Sequence, residues 1–241
     1  MKFQKFIVAA TLLLLASLIA WNSGFAQPPE AESKGKKIAS VLQPYVEKQQ
    51  LAGAVILVSG PEKTLCVESV GLADVATQKP LKSDAVFWIA SMTKPITATA
   101  LMMLVDEGKV KLDDPVAKHL PEFAGQMYVA DRRDGEVVLR RPKQPVLVKN
   151  LLTHTSGMMG DSPVEPTHGC VPLKAAVAAY SLGPTTFAPG LEFEYNNPGI
   201  NIAGRIIEVA SGMPYEKFMQ ERLFDPLGMQ DTTFFPNAAQ L

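Results

Sequence analysis

Residues 90–108 read ASMTKPITATALMMLVDEG, and the rest of the chain is interpreted outward from this stretch. Small and apolar residues recur along it at helical spacing, which predicts a helix over about 92–106. Pro95 is compatible with that helix, because the first turn has no backbone hydrogen bond for a proline to remove. Ser91 therefore lies at the mouth of the helix, and Lys94 follows one turn later on the same face.

The Ser-x-x-Lys spacing suits nucleophilic catalysis. A serine hydroxyl is a weak nucleophile until a nearby base takes its proton. Lys94 has the reach to do so, and partial desolvation beside the helix N-terminus is a reason to expect a lowered pKa. The first turn also offers backbone N–H groups that can stabilise an oxyanion. The same spacing arises by chance, so an N-cap serine beside a solvated lysine is the alternative interpretation.

The first 26 residues have the pattern of a secretory signal peptide. Two lysines precede an apolar run over residues 6–21, and small residues precede a cleavage point after Ala26. We therefore expect residues 1–26 to be removed and the protein to be exported, either to the periplasm or out of the cell, with no stable membrane span left. An uncleaved N-terminal anchor is the alternative, because the run is nearly long enough to span a bilayer.

The remaining chain has the composition of a globular protein. Its formal net charge is −1 and becomes about −3 when the two signal lysines are removed. This balance gives no electrostatic basis for binding nucleic acid or an anionic membrane. Residues 27–37 are polar and predict a flexible lead before a domain over 38–241. Cys66 and Cys170 could pair in an exported chain or could both stay free.

Periodicity predicts a mixed α and β chain. A buried strand over 52–58 and a partner over 64–70 form an expected hairpin. Helices are expected over about 38–48, 112–120, 174–181, 201–210 and 214–224, and a second hairpin over 127–139 turns on Arg133-Asp134-Gly135.

Two sets of polar side chains are interpreted as structural rather than as metal ligands or catalytic groups. The three histidines, His119, His154 and His168, do not have the spacing of metal ligands, so neither a metal site nor a cofactor is expected. His154 is interpreted as a structural residue of a turn. Asp113 and Asp114 are interpreted as a helix cap and a solvated turn rather than as an acid/base pair.

A second candidate motif is Tyr195-Asn196-Asn197, which follows Pro189 and Gly190 and precedes the helix at 201. On an extended loop, the phenol and the carboxamide two residues apart point to the same side. A tyrosine beside an ammonium group has its ionised form favoured and can act as a base and then as an acid. A surface loop with one aromatic anchor is the alternative interpretation.

The two motifs together resemble those of the serine β-lactamase and penicillin-binding-protein superfamily, in its class C and esterase-like branch. Three further segments resemble recurring segments of that family, and the similarity covers roughly residues 38–236. These segments are Gly71-Leu72-Ala73-Asp74, Leu151-Leu152-Thr153-His154-Thr155-Ser156-Gly157 and Arg222-Leu223-Phe224-Asp225-Pro226-Leu227-Gly228-Met229.

The resemblance implies an α+β fold in which a helical lobe packs on an antiparallel sheet, with the active site between them. It also implies that Ser91 is acylated and that Lys94 and Tyr195 share proton transfer. Asn197 would bind the substrate or orient the lysine. The implied substrate is a small ester, a β-lactam or a peptide.

One feature of the family is not found in this sequence. The family carries a third motif, Lys or His, then x, then Gly, on a later strand, and nothing after Tyr195 matches it. The chain is therefore expected to correspond to the N-terminal two-thirds of the family's domain, with an incomplete sheet, and not to be fully active alone.

Two classes of function follow from these observations. The first is a serine hydrolase that forms an acyl-enzyme on Ser91, either a carboxylesterase-type enzyme or a β-lactamase or D-alanyl-D-alanine carboxypeptidase. The second is a non-catalytic member that binds peptidoglycan-like or protein partners. The presence of Ser91, Lys94, Tyr195 and Asn197 together favours catalysis, and analogy with the family favours the esterase type.

Overall fold

The protein is described by a computed structural model. The structure describes residues 29–159, 171–238 and 240. The predicted signal peptide and Cys170 lie outside these residues, so export and the pairing of Cys66 stay predictions. The chain divides into two compact units, which comprise residues 1–87 and 88–241.

The first unit contains one helix and one antiparallel sheet. Its elements are α1 (Pro29–Glu47), β1 (Gly53–Ser59), β2 (Thr64–Asp74) and β3 (Lys79–Pro80), and the strand order is β1-β2-β3. The helix lies against β1 and β2, with Ala39, Leu42 and Val46 half-buried.

Helix α1 begins at Pro29, within the segment 27–37 that the sequence predicts to be a flexible lead. The segment has few apolar residues and therefore lacks the periodicity from which helices are predicted. It nevertheless contains two Glu and three Lys residues, which are good helix formers, and its acids precede its lysines as the helix dipole favours.

Strands β1 and β2 approach each other closely at a pair of glycines. Gly53 lies opposite Gly71 in the register. Gly71 has a φ of +82°, and a Cβ atom there would lie 2.3 Å from the carbonyl oxygen of Ala52. Backbone rather than a flexible side chain occupies that space, so only glycine fits.

Gly71→Ala is therefore expected to destabilise the protein by about 2–3 kcal/mol, because it combines left-handed strain with a backbone clash. Gly60→Ala is the matched control in the same unit, since its Cβ would meet nothing closer than 3.6 Å. Chemical denaturation of the two variants measures the difference. Equal free energies of unfolding would show that the close approach of the strands is not rigid.

The second unit is mainly helical. Its helices are α2 (Thr93–Asp106), α3 (Val116–His119), α4 (Val148–Leu152), α5 (Leu173–Tyr180), α6 (Pro198–Ser211) and α7 (Tyr215–Met219), which continues as a π-helix over Gln220–Phe224. A two-stranded antiparallel sheet pairs β4 (Tyr128–Arg133) with β5 (Glu136–Arg140). The α+β class is thereby confirmed.

The β4–β5 hairpin is closed by the predicted turn. Asp134 and Gly135 form a two-residue loop, and both have positive φ, 51° and 83°. Positive φ at both positions is the signature of a type I′ turn, for which Asp-Gly is a preferred pair.

Helices α2 and α6 pack together in the core of the second unit. Leu101 and Leu104 of α2 are fully buried, and so are Ile202 and Ile206 of α6. The apolar stripe of α6 is the predicted one. The buried face of α2 also includes Thr97, which the apolar pattern does not predict.

Asp114 is buried beyond the C-terminus of α2, so the prediction of a solvated turn is wrong for this residue, which is 8% exposed. Its carboxylate accepts hydrogen bonds from Lys118 Nζ at 2.8 Å and from the Lys111 amide at 3.0 Å, and His119 Nε2 lies 3.1 Å away. Burial alone raises the pKa of Asp114, but these hydrogen bonds outweigh it and lower the pKa to about 2. The loop between α2 and α3 is thus fixed by an ionised carboxylate.

Asp114→Asn is expected to lower the free energy of unfolding at neutral pH by about 1–2 kcal/mol. The pKa of Asp114 is lower in the folded than in the unfolded chain. Its stabilisation is therefore complete above about pH 4 and is lost as the pH falls towards 2.

Denaturant unfolding at pH 7 and at pH 2 measures this contribution. Asp113→Asn is the control, because the neighbouring carboxylate is exposed and pairs with Lys149 at the surface, where a pair contributes little. A difference between Asp114→Asn and the unmodified protein that is as large at pH 2 as at pH 7 would contradict the expectation.

Candidate active site

Ser91 lies where the sequence predicts, at the start of the helix that carries Lys94. It belongs to a 3-10 turn over Ala90–Met92 that leads directly into α2. Met92 is the N-cap residue, and Ser91 makes no capping hydrogen bond. The alternative interpretation of Ser91 as an N-cap serine is therefore wrong. Ala90 has a φ of +44°, a strained conformation for a residue with a Cβ atom, directly before the serine.

The hydroxyl of Ser91 accepts hydrogen bonds from two other side chains. Lys94 Nζ donates a hydrogen bond to Ser91 Oγ at 3.0 Å, and the Tyr195 hydroxyl donates one to the same oxygen at 2.8 Å. Lys94 Nζ also lies 4.7 Å from the centroid of the Tyr195 ring. The three side chains named by the two motifs thus form one cluster, all of it within the second unit.

The electrostatics of the cluster favour ionisation of the phenol. A hydrogen bond from Lys94, followed by one with Ser91, lowers the pKa of Tyr195 below its usual value near 10. Tyr195 is 53% exposed, so solvent screens part of this effect. A phenol with a lowered pKa beside a serine hydroxyl can accept that hydroxyl's proton.

Helix α2 is fixed one turn beyond Lys94 by a hydrogen-bonded pair, of which the threonine is buried and the tyrosine partly buried. Thr97 Oγ1 donates to the carbonyl oxygen of Thr93 at 3.0 Å and lies 2.7 Å from the Tyr215 hydroxyl at the start of α7. This pair anchors the helix that presents Ser91 and Lys94.

The loop that carries Tyr195 is held by the segment after α4. The backbone N–H of Glu194 donates to the carbonyl oxygen of His154 at 2.9 Å, and that of Asn196 donates to His154 Nδ1 at 3.3 Å. The His154 and Tyr195 rings lie 4.5 Å apart between centroids. Sequence reasoning placed His154 in a structural turn and missed this contact with the site.

Asn197 does not occupy the position that an extended loop would give it. Its backbone is helical, with φ −81° and ψ −38°, because it is already the N-cap of α6, and its side chain is exposed. Among the described residues no hydrogen bond joins that side chain to Ser91, Lys94 or Tyr195. The role of Asn197 in binding a substrate stays a prediction.

Asn196 is instead the buried asparagine of this motif. Its Nδ2 donates to the carbonyl oxygen of Glu194 at 2.8 Å, and its Oδ1 accepts from the Gly199 amide at 2.9 Å. It therefore fixes the turn by which the chain passes from Tyr195 into α6.

A cavity of about 330 Å³ opens beside the cluster. Its polar lining is Ser91, Lys94, His154 and Tyr195, and its apolar lining is Pro95, Ala98, Leu152 and Ile200. Its volume and mixed lining are those of a site for a small molecule.

Residues 38–241 match the family model described as Beta-lactamase. Esterase EstB of Burkholderia gladioli is 31% identical, over 85% of this chain and 53% of that protein. The D-alanyl-D-alanine-carboxypeptidase/endopeptidase AmpH of Escherichia coli is 34% identical, over 65% of this chain and 39% of that protein. The chain spans about half the length of the curated relatives it matches, or less.

Among solved structures, EstCE1, described as a hydrolase with promiscuous acyltransferase activity, aligns with a TM-score of 0.72. The alignment covers 85% of this chain and 54% of that one at 24% identity, and so shows a shared fold. The predicted resemblance is confirmed by these matches. From residue 38 onward, the chain belongs to the β-lactamase family of serine hydrolases and penicillin-binding proteins.

Proposed function

We propose that this protein is a serine hydrolase that forms an acyl-enzyme on Ser91. The observation that carries the proposal is the pair of hydrogen bonds to one hydroxyl, from Lys94 Nζ at 3.0 Å and from Tyr195 at 2.8 Å. Because no other described side chain shares that oxygen, these two groups are the ones positioned to move its proton.

In the proposed reaction, Ser91 Oγ forms a bond to the carbonyl carbon of an ester. Its proton passes to the Tyr195 and Lys94 pair, which delivers it to the leaving alcohol oxygen as the carbon–oxygen bond to that alcohol breaks. Water then attacks the acyl carbon and gives a proton to the same pair. That proton returns to Ser91 Oγ as the carboxylic acid leaves.

The lining of the cavity favours a neutral ester as the substrate. Among the described residues around it, Lys94 is the one lysine or arginine, and it is already engaged with Ser91 and Tyr195. A peptide ending in a carboxylate would need a further cation to pair with. Met92, beside the serine, and Phe193, edge-on to His154 at 6.0 Å, present exposed apolar side chains instead.

A D-alanyl peptide is the second candidate substrate, because the chain is similar to AmpH. A β-lactam is the third, because the chain matches the Beta-lactamase family model. The test is a panel of three compounds: p-nitrophenyl butyrate, nitrocefin, and a peptide ending in D-Ala-D-Ala. We expect the highest kcat/KM for the ester. Turnover of the peptide alone would replace the ester in this proposal, and turnover of none by a folded chain would favour the non-catalytic alternative.

A further inference from the structure

His154 contacts Tyr195 and the two residues beside it in three ways that together are unusual for a structural residue of a turn. Its carbonyl oxygen accepts the N–H of Glu194 at 2.9 Å, and its Nδ1 accepts the N–H of Asn196 at 3.3 Å. These two amides flank Tyr195 directly. The imidazole also packs against the phenol ring, with centroids 4.5 Å apart and planes 38° apart. Backbone and side chain of one residue therefore fix both the loop and the ring that reach Ser91.

The backbone of His154 is strained in order to do this. Its φ is +56°, a left-handed conformation that a histidine adopts at a cost of about 1 kcal/mol or more. Such strain persists where surrounding contacts hold it, and it is concentrated at functional sites. Here it turns the chain so that the carbonyl oxygen and the ring both meet the same three-residue segment.

The charge state of His154 suits a position beside an ammonium group. Burial, and then the charge of Lys94, lowers the pKa of His154, so its imidazole is neutral at neutral pH. Since Nδ1 accepts a hydrogen bond, the ring proton is assigned to Nε2. A neutral ring can pack on Tyr195 without repelling Lys94.

We infer that His154 is a positioning residue of the site, which holds the Tyr195 hydroxyl within hydrogen-bond distance of Ser91 by clamping the backbone on both sides of Tyr195 and packing against its ring. The inference rests on the proposed function for its catalytic consequence. Its structural consequence, the placement of the phenol, can be measured without any activity.

Two substitutions separate the contributions of His154. Glycine accommodates a φ of +56° but removes both the ring and the Nδ1 acceptor. Asparagine also tolerates that φ, and its amide oxygen can replace Nδ1 as an acceptor for the Asn196 amide. His154→Gly therefore removes both side-chain contacts and keeps the backbone carbonyl oxygen that accepts the Glu194 amide, and His154→Asn restores the side-chain hydrogen bond without the ring.

The experiment reads out Tyr195 directly in the 241-residue chain labelled with 13C at the tyrosine Cζ position. The chain has five tyrosines, and the spectrum of Tyr195→Phe assigns the signal of Tyr195. We expect this signal to move in His154→Gly and to titrate at a pH closer to that of a free tyrosine, with a smaller change in His154→Asn.

The second readout is the rate at which a fluorophosphonate labels Ser91. We expect His154→Gly to lower it by about tenfold to a hundredfold, as for a displaced catalytic group, and His154→Asn to recover part of the loss. His119→Asn is the control, because that histidine, the last residue of α3, hydrogen-bonds to Asp114 and not to a residue of the cluster. It should lower stability without moving the Tyr195 signal.

The inference would be overturned if His154→Gly left the Tyr195 signal and its titration unchanged and labelled Ser91 within about twofold of the original rate. If the unmodified chain is not labelled at Ser91 at all, the proposed function fails. The Tyr195 signal then still decides whether His154 positions the phenol.

Discussion

Ser91→Ala is expected to lower ester hydrolysis by at least about a thousandfold, because it removes the only atom to which the acyl group can be transferred in the proposed reaction. The hydroxyl accepts hydrogen bonds from both Lys94 and Tyr195 and is exposed, so its removal buries no unpaired group. Steady-state kinetics on p-nitrophenyl butyrate measures the effect. Thermal unfolding should change little.

Ser181→Ala is the matched control for this substitution. Its hydroxyl donates to the carbonyl oxygen of Ala178 at the end of α5 and takes no part in the cluster. We expect its kcat/KM to equal that of the unmodified protein. Hydrolysis that survives Ser91→Ala at more than about a tenth of the original rate would assign the reaction to another group.

Tyr195→Phe is expected to have the second largest effect, a fall of about 10²- to 10⁴-fold in kcat/KM. The substitution removes the hydroxyl that lies 2.8 Å from Ser91 Oγ. The ring stays, and with it the packing against His154 and the contact with Lys94. The loss therefore reports proton transfer rather than a collapse of the loop.

The pH dependence of the hydrolysis rate is a second measurement of the role of the Tyr195 hydroxyl. The hydrogen bond from Lys94 and that with Ser91 lower the pKa of Tyr195, so its phenolate forms at a lower pH than that of a free tyrosine. The rate of the unmodified protein should rise with pH towards that pKa. This rise should be absent in Tyr195→Phe.

Tyr45→Phe serves as the control, since Tyr45 in α1 is 51% exposed and so matches Tyr195 at 53%. Its rate and pH profile should be those of the unmodified protein. A full rate in Tyr195→Phe, with the rise still present, would show that Lys94 alone carries the proton.

The local part of the site was predictable from the sequence. Ser91 and Lys94 are one helical turn apart, and α2 follows from the apolar spacing of residues 92–106, so their contact is dictated by helix geometry. Tyr195 is 104 residues further along the chain than Ser91. Spacing carries no information over that distance, and the resemblance to a family supplied the connection.

For Asn197 and His154, the sequence did not predict the environment that the structure shows. The prediction for Asn197 assumed an extended backbone, but the helix α6 begins directly after it and turns its side chain to solvent. His154 reaches the Tyr195 loop through one backbone and one side-chain hydrogen bond between two irregular segments. Irregular segments have no periodicity, so neither the left-handed φ of His154 nor its contacts could be derived from the pattern of residues.

The fold likewise has parts that could be predicted from the sequence and parts that could not. Helix α6 and the β4–β5 hairpin have local sequence signals, an apolar stripe and an Asp-Gly turn, and both are confirmed. No local sequence signal predicts the early start of α1 or the burial of Asp114. The first depends on helix propensity without an apolar face, and the second on a carboxylate that gathers donors from several positions in the folded chain.

The most direct test of the central claim, that Ser91 is the nucleophile, is to treat the folded 241-residue chain with a fluorophosphonate and to map the adduct by peptide mass spectrometry. The proposed chemistry predicts one adduct, on the peptide that contains Ser91, absent from Ser91→Ala and slower to form in Tyr195→Phe. An adduct confined to another residue, or none on a chain that circular dichroism shows to be folded, would contradict it.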